Sequence, residues 1–124
     1  MNNNRGFTLI EVAIVVAIIG VLATIAISIY SKQMTQANNV AALSDLRAAM
    51  ESQEAYYLDH KKYTEYPIDL KGYGMSEYAT PGVDMVFELP DGDDQRYHIV
   101  AYHESGDKKY IVTGPGGPID GQPK

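Results

Sequence analysis

An unbroken apolar run near the start of the chain limits what this sequence can fold into more than any other feature. Residues 7–30 contain one charged side chain, Glu11. A helix rises about 1.5 Å per residue, so roughly 20 apolar residues cross the ~30 Å hydrocarbon core of a bilayer. In lipid, a single segment of this kind pairs all its backbone N–H and C=O groups by forming a helix. The run therefore predicts a transmembrane helix.

Two other interpretations of the run are weaker. A secretory signal peptide has an apolar core of about 7–15 residues, and residues 26–28 form a poor cleavage site. A buried helix would need cover on every side, which the rest of a 124-residue chain is too short to supply. Arg5 and the α-amine precede the run and Lys32 follows it, which is a weak bias of positive charge toward the N-terminal side. Only six residues precede the run and 94 follow, so we expect the N-terminus inside the cell and the C-terminal part outside.

The rest of the chain has the composition of a soluble domain. The sequence carries 10 Lys and Arg against 16 Asp and Glu, and only Arg5 and Glu11 precede Lys32. A net charge of −6 disfavours a nucleic-acid binder, so we expect no nucleic-acid partner. The chain has no cysteine, which excludes disulfides, thiol catalysis and cysteine-ligated metals.

Glu11 is the most informative residue of the run. A carboxylate at the centre of a bilayer costs about 2.5–3.5 kcal/mol, and somewhat less near an end, so something should offset that cost. Thr8 lies three residues earlier, which fits a capping box in which Glu11 bonds to free amides of the first helical turn. Alternatively, Glu11 is held for a cation supplied by another chain. The two interpretations are compatible, and both stay open.

The residues around Glu11 carry a resemblance to a known family. Residues 5–12 read Arg-Gly-Phe-Thr-Leu-Ile-Glu-Val and lead directly into the apolar run. This segment resembles the class III signal of type IV pilins and type II secretion pseudopilins. Residues 42–47 and 54–58 also resemble the helix that follows in pilins. Many family members carry a proline about eight positions after the helical glycine, whereas here Ser28 follows Gly20, so a kink or local unwinding stays an open question.

The resemblance implies a set of modified and assembling residues. Residues 1–6 would be a leader that a prepilin peptidase removes by cutting between Gly6 and Phe7. Phe7 would then be N-methylated, and Glu11 would pair with the N-terminal amine of a neighbouring subunit.

The same resemblance implies a structural role. The chain would be stored as a single-pass inner-membrane precursor with a cytoplasmic N-terminus, and would then polymerise into a cell-surface type IV pilus. Its partners would be further copies of itself, the prepilin peptidase, the assembly platform in the inner membrane and minor pilins. A pseudopilin of type II secretion is the close alternative. A membrane-anchored binding module, with Glu11 as a cap only, is a more distant one.

The remaining pattern predicts an α+β fold. No proline or glycine occurs between Val21 and Tyr66, so one helix can run from residue 7 to about 58, roughly 78 Å. Its second half has an apolar stripe at helical spacing: Val40, Leu43, Leu46, Met50 and Tyr57. Residues 61–80 read as a loop with four tyrosines: Tyr63, Tyr66, Tyr73 and Tyr78.

Alternating apolar residues then predict strands at 83–89, 97–102 and 110–113, joined as an antiparallel meander. The glycines and prolines of 114–118 should end regular structure and leave a mobile tail. The expected organisation is a leader at 1–6, a membrane or filament-core helix at 7–30, and a globular domain at 31–124. In that domain the helix covers a three-stranded sheet that spans about 83–113.

Residues that could carry chemistry are sparse. Asp91, Asp93 and Asp94 are weak candidates for Ca²⁺, but the twelfth position of the calcium-loop template is Tyr102 instead of Glu. His98 and His103 lie five residues apart on a strand and hence on opposite faces, and no nucleophile motif or phosphate loop occurs. We therefore expect no enzymatic activity and no cofactor.

Overall fold

The structure is a computed structural model and describes residues 6–75 and 80–124. Its main elements are one helix, α1, and four strands, β1 to β4. Their bounds are α1 Leu9–His60, β1 Val83–Glu88, β2 Tyr97–His103, β3 Lys108–Gly114 and β4 Asp120–Pro123. The chain divides into two compact units, Met1–Met34 and Thr35–Lys124. Residues 1–5 of the predicted leader and Tyr78 of the predicted loop lie outside the described residues.

Helix α1 is continuous over 52 residues, which agrees with the predicted helix to within two residues at each end. The helix passes through Gly20 and Ser28 without a break. Thr24 Oγ1 donates to the Gly20 carbonyl oxygen at 2.9 Å, which satisfies a hydroxyl that would otherwise be unbonded in an apolar segment. The helix ends where Lys61 adopts a left-handed conformation, with φ of 57°.

The sheet has four antiparallel strands in the order β1-β2-β3-β4, so the prediction of three strands was wrong. The predicted mobile tail forms β4, in which residues 120–123 pair with residues 111–108 of β3. Its Asp-Gly-Gln-Pro sequence contains none of the residue types that favour strands, and Pro is tolerated because β4 is an edge strand. Gly121 lies opposite Tyr110, where a Cβ would come within 3.2 Å of the ring.

The second half of α1 contacts the core through a face that overlaps the predicted stripe, because Leu46 is a core residue and Met50 and Tyr57 pack against the core. Val40 is 62% exposed, whereas Ala42, Leu46 and Ala49 are fully buried. The fully buried face therefore lies beside the predicted stripe and shares Leu46 with it. The core cluster joins this face to the loop and the sheet, and its members are Leu46, Ala49, Tyr56, Tyr63, Leu70, Phe87, Tyr97, Ile99, Ala101 and Val112.

Two buried polar residues of α1 fix the connections of the second unit. Asn39 Oδ1 accepts from the backbone N–H groups of Asp107 and Lys108, at 3.1 and 3.2 Å, and Asn39 Nδ2 donates to Asp107 Oδ1 at 2.6 Å. Gln53 exchanges two hydrogen bonds with the backbone of Thr64, at 2.7 and 3.2 Å. The first residue holds the β2–β3 turn and the second holds the loop after α1.

Candidate functional site

The first turn of α1 carries a reciprocal cap. Thr8 N–H donates to Glu11 Oε2 and Glu11 N–H donates to Thr8 Oγ1, both at 3.2 Å. This is the capping-box arrangement, in which two side chains satisfy free amides at the start of a helix. The capping interpretation of Glu11 is therefore confirmed. A carboxylate in the first turn also interacts favourably with the helix dipole.

The cap leaves half of the Glu11 carboxylate unused. The described residues donate no hydrogen bond to Oε1 and place no cation beside the carboxylate. A carboxylate can accept about four hydrogen bonds, so a single backbone donor leaves most of its capacity open. The site can therefore take a cation from another molecule without losing the cap.

Gly6 and Phe7 lie just before the cap and are open to their surroundings. Phe7 is 87% exposed, and a Cβ built on Gly6 meets no atom within 4 Å. The peptide bond between them is therefore accessible, and an amine created at Phe7 would lie one residue before the Thr8 cap.

The helix behind this site matches a membrane span in length and composition. Helix α1 contains a strongly apolar window near the N-terminus, and none of that window is buried. The exposed side chains include Val15, Ile18 and Leu22, each more than half exposed. Apolar side chains in this number are stable when lipid or another apolar surface surrounds them.

The acidic turn after β1 is used for local hydrogen bonds. Asp93 Oδ1 accepts from the Gln95 N–H and Asp94 Oδ1 accepts from Gln95 Nε2, each at 3.0 Å. Asp91 adopts a left-handed conformation, with φ of 55°. Within residues 6–75 and 80–124, no group of three His, Asp or Glu side chains could hold a metal ion.

The three histidines lie apart from one another. His98 Nδ1 contacts Thr113 Oγ1 at 2.9 Å, and His103 Nε2 contacts the Pro81 carbonyl oxygen at 3.2 Å. His60 stacks on Tyr56 with 4.0 Å between ring centroids. The first two contacts join different chain segments, whereas His60 and Tyr56 lie four residues apart in α1.

Tyr57, Tyr63 and Glu54 form a cluster of two tyrosines and a carboxylate in the second unit. Tyr63 Oη donates to both carboxylate oxygens of Glu54 at 3.2 Å, and its ring stacks on Tyr57 at 4.8 Å. Burial, followed by the charge of Glu54, raises the pKa of Tyr63 well above the usual tyrosine range. The same two causes raise the pKa of Tyr97, which contacts Tyr63 edge to face.

Sequence reasoning identified Glu11 but not the anchoring residues of the second unit. Asn39, Gln53 and Thr64 are buried, although polar residues are usually predicted to be exposed. A signal was present, because Asn39 and Gln53 lie on the same helical face as Leu46. Polar residues on a core-facing stripe require hydrogen-bond partners, and here the partners are backbone groups of two loops.

Comparison with known proteins finds similarity in the N-terminal segment and across most of the chain. The family profile described as the prokaryotic N-terminal methylation motif matches residues 1–27. The type IV wide pilus major component of Thermus thermophilus is 32% identical over 113 residues, which cover 91% of this chain and 84% of that protein.

Two further relatives represent the two branches that the sequence left open. A fimbrial protein of Pseudomonas aeruginosa is 42% identical over 109 residues, 82% of this chain and 69% of that protein. The type II secretion system core protein G of Klebsiella pneumoniae is 35% identical over 126 aligned positions, 94% of this chain and 89% of that protein. These matches continue past the apolar segment into the second unit.

Proposed function

Because this chain belongs to the family of type IV pilins and type II secretion pseudopilins, we propose that it is a structural subunit that polymerises into a type IV pilus. The observation that carries this proposal is the capped Glu11 with a free oxygen at the head of an exposed apolar helix. Such a helix satisfies its own backbone but leaves its side chains to be covered by lipid or by other copies. The pilin relatives are structural proteins, which agrees with a structural role and not an enzymatic one.

Processing would convert the precursor into the assembling form. A prepilin peptidase would hydrolyse the peptide bond between Gly6 and Phe7, releasing residues 1–6 and leaving an amine on Phe7. The matched methylation motif supports N-methylation of that amine. A methylated amine keeps its positive charge, so the reaction preserves the ion that Glu11 needs.

Glu11 would select and position each incoming subunit. Its carboxylate is poorly solvated in lipid, so a cation that reaches it gains more than an exposed ion pair does in water. The amine of Phe7 on a neighbouring copy is such a cation. Glu11 Oε1 accepts no hydrogen bond from the described residues, so the pairing does not compete with the Thr8 cap. A subunit that has not been cleaved lacks the amine and would assemble poorly.

Location and partners follow from this role. The apolar helix would anchor the precursor in the inner membrane, with the N-terminus in the cytoplasm and the second unit outside. The prepilin peptidase, the inner-membrane assembly platform and minor pilins would act on it there. The polymer would then extend from the cell surface.

A pseudopilin of type II secretion is the second candidate, and the relative from Klebsiella pneumoniae supports it. Both candidates need the same cleavage, the same methylation and the same Glu11 pairing. They differ in the location of the polymer, because a pseudopilin polymer would stay within the cell envelope and a pilus would extend from the cell surface. Identity does not separate the two candidates, because the pseudopilin at 35% lies between the pilus component at 32% and the fimbrial protein at 42%.

Mass spectrometry of the native protein tests the proposal directly. We would measure intact mass and N-terminal fragments in isolated membranes and in material sheared from the cell surface. A chain that begins at methylated Phe7 and is abundant in the sheared fraction is the expected result. The same chain confined to the envelope would favour the pseudopilin. A chain that begins at Met1, or after Ser28, in both fractions would contradict the proposal.

A further inference from the structure

A cavity of about 270 Å³ opens on the second unit between the end of α1 and the loop that follows it. We call it the tyrosine–carboxylate cavity. Small-molecule sites usually measure about 300–1,000 Å³, so this cavity suits a single side chain better than a free ligand of drug size. Its walls include three tyrosine rings and three carboxylates: Tyr56, Tyr63, Tyr66, Glu65, Asp69 and Asp94.

The carboxylate of Asp69 is held in place before anything binds. Thr64 Oγ1 donates to Asp69 Oδ2 at 2.8 Å, and Thr64 itself is 5% exposed. The backbone of Thr64 is fixed to α1 by its two hydrogen bonds with the fully buried Gln53. A site whose carboxylate is already fixed loses little side-chain entropy on binding.

The charge and the aromatic walls both favour a cation. Three carboxylates face one ammonium group, that of Lys62, so the lining is negative overall. The face of a tyrosine ring is also negative and attracts ammonium or guanidinium groups within about 6 Å of its centroid. Tyr66 is 60% exposed, which leaves its ring free to take part. The matching occupant is a lysine or arginine side chain.

The opposite end of the same unit carries lysines without partners. Lys108 and Lys109 begin β3, and neither side chain forms a hydrogen bond or ion pair with the residues in 6–75 and 80–124. Lys108 is exposed. The other charges of this turn are more constrained, because Asp107 is bonded to Asn39 and Lys124 Nζ donates to two backbone carbonyls. Glu104 remains as an exposed carboxylate beside them.

The cavity and Lys108 cannot meet within one molecule. The β2–β3 turn is anchored at Asn39 and the cavity is lined by Tyr56, and 17 helical residues separate these positions, or about 26 Å. An open filament requires a heterologous contact, in which two different patches of neighbouring subunits meet. An acidic cavity at one end and free lysines at the other form a pair of that kind.

We propose that the tyrosine–carboxylate cavity receives the Lys108 side chain of a second copy of this chain, and so forms a head-to-tail contact between second units in the filament. The inference rests on the proposed polymerisation and adds to it. The apolar helix supplies the filament core, and this contact sets the register between neighbouring second units. Glu65 and Asp69 accept hydrogen bonds from the ammonium group, and the Tyr66 ring covers its methylene stem.

Cysteine cross-linking in intact filaments tests the contact. The natural chain has no cysteine, so every cross-link in a Glu65→Cys, Lys108→Cys double variant comes from the introduced pair. A direct disulfide needs Cα atoms about 4.4–6.8 Å apart, which is closer than a lysine and a glutamate in contact hold theirs, so a short bis-maleimide is used to join the two thiols. The separation within one chain is too long for this reagent to bridge, so treated filaments should give a ladder of dimers, trimers and longer species on a denaturing gel. A Glu51→Cys, Lys108→Cys variant is the control, because Glu51 is exposed on α1 away from the cavity lining, and it should give no ladder.

Charge reversal gives an independent measurement that needs no new bond. Glu65→Lys and Lys108→Glu should each lower the yield of sheared filaments by about fivefold, and the double variant should recover most of the yield. Glu51→Lys should leave the yield unchanged.

The inference and the proposed polymerisation fail in different ways. Abundant filaments of the cysteine variant with no ladder, or reversed charges that leave the yield unchanged, would overturn the cavity contact alone. A natural chain that is never cleaved and forms no filament would overturn the polymerisation and the contact with it.

Discussion

The two units of this chain differ in where their partners come from. Every residue from 6 to 34 is exposed, and Phe7 is 87% exposed. The second unit encloses its own core, and within the described residues no buried side-chain polar atom lacks a hydrogen-bond partner. The apolar surface of the first unit is therefore left to be covered by other molecules, whereas the second unit buries its own core.

Because of this difference, substitutions that affect assembly and substitutions that affect stability should lie in different units. A substitution in the first unit should change processing, membrane behaviour or polymerisation and leave the second unit folded. A substitution in the core of the second unit should lower its free energy of unfolding and leave N-terminal processing intact. A variant that violated this division would show that the two units depend on each other.

The largest effect is expected at the cleavage site. Gly6→Ala should leave nearly all of the chain uncut at Phe7, because the peptidase would recognise the glycine directly. The substitution does not disturb the fold, since a Cβ at Gly6 meets nothing within 4 Å. Intact-mass spectrometry of membranes measures the uncut fraction. Gly20→Ala is the matched control, as a Cβ there also has open space, and efficient cleavage of Gly6→Ala would refute the predicted site.

The next effect separates the two roles of Glu11. Glu11→Leu should enter the membrane at least as well as the natural chain, because it removes a carboxylate that costs up to about 2.5–3.5 kcal/mol in lipid. Filament yield should nevertheless fall at least tenfold, since the incoming amine loses its partner. Sheared filaments and membrane fractions measure the two quantities separately.

Thr8→Val is the control for this experiment. It removes the Thr8 Oγ1 acceptor of the cap but retains the Glu11 carboxylate. The expected loss is about 1 kcal/mol of helix stability, with filaments retained. Normal filaments with Glu11→Leu, or lost filaments with Thr8→Val, would make the cap the main role of Glu11.

A third comparison uses the same substitution in both units. Leu46 is fully buried and Leu22 is 59% exposed. Leu46→Ala should lower the free energy of unfolding of the second unit by about 2–5 kcal/mol, because it leaves a cavity beside Ala49 and the sheet. Leu22→Ala should change that free energy by less than about 0.5 kcal/mol. Urea unfolding of the full chain in detergent, followed by tyrosine circular dichroism, measures both. Equal losses for the two variants would contradict the division into units.

The contrast between units also explains what the sequence could predict. The first unit follows from composition, since a long apolar run with one carboxylate has few alternatives in lipid. The capping box follows from the spacing of Thr8 and Glu11 alone. Both are local features, and the structure agrees with both.

Non-local features of the second unit escaped sequence reasoning. Strand β4 has no strand-forming residues, and it exists because β3 offers a free edge. The buried helix face was predicted only in part, because Asn39 and Gln53 are polar by type while loops distant in sequence satisfy their hydrogen bonds. Such partners are set by tertiary contacts, which a hydrophobic pattern does not encode.

The smallest expected effect concerns the alkaline stability of the second unit. Burial, and then the Glu54 charge, raise the pKa of Tyr63 above the value of about 10 that it has in the unfolded chain. The unfolded state therefore loses this proton first as the pH rises past about 10. Stability should then fall with pH, by up to about 1.4 kcal/mol per pH unit from this one group. Below pH 10 the contribution of Tyr63 is fully present.

Tyr63→Phe isolates this contribution, because it keeps the ring stacked on Tyr57 and removes the hydroxyl that donates to Glu54. At pH 8 the variant should be less stable by about 1 kcal/mol. Between pH 10 and 11 its stability should decline less steeply, so the two curves converge. Part of the decline should persist, since burial also raises the pKa of Tyr97. Tyr30→Phe, at a 66% exposed position of the first unit, should leave the curve unchanged. Parallel curves for Tyr63→Phe and the natural chain would mean that the proton on Tyr63 does not couple to folding.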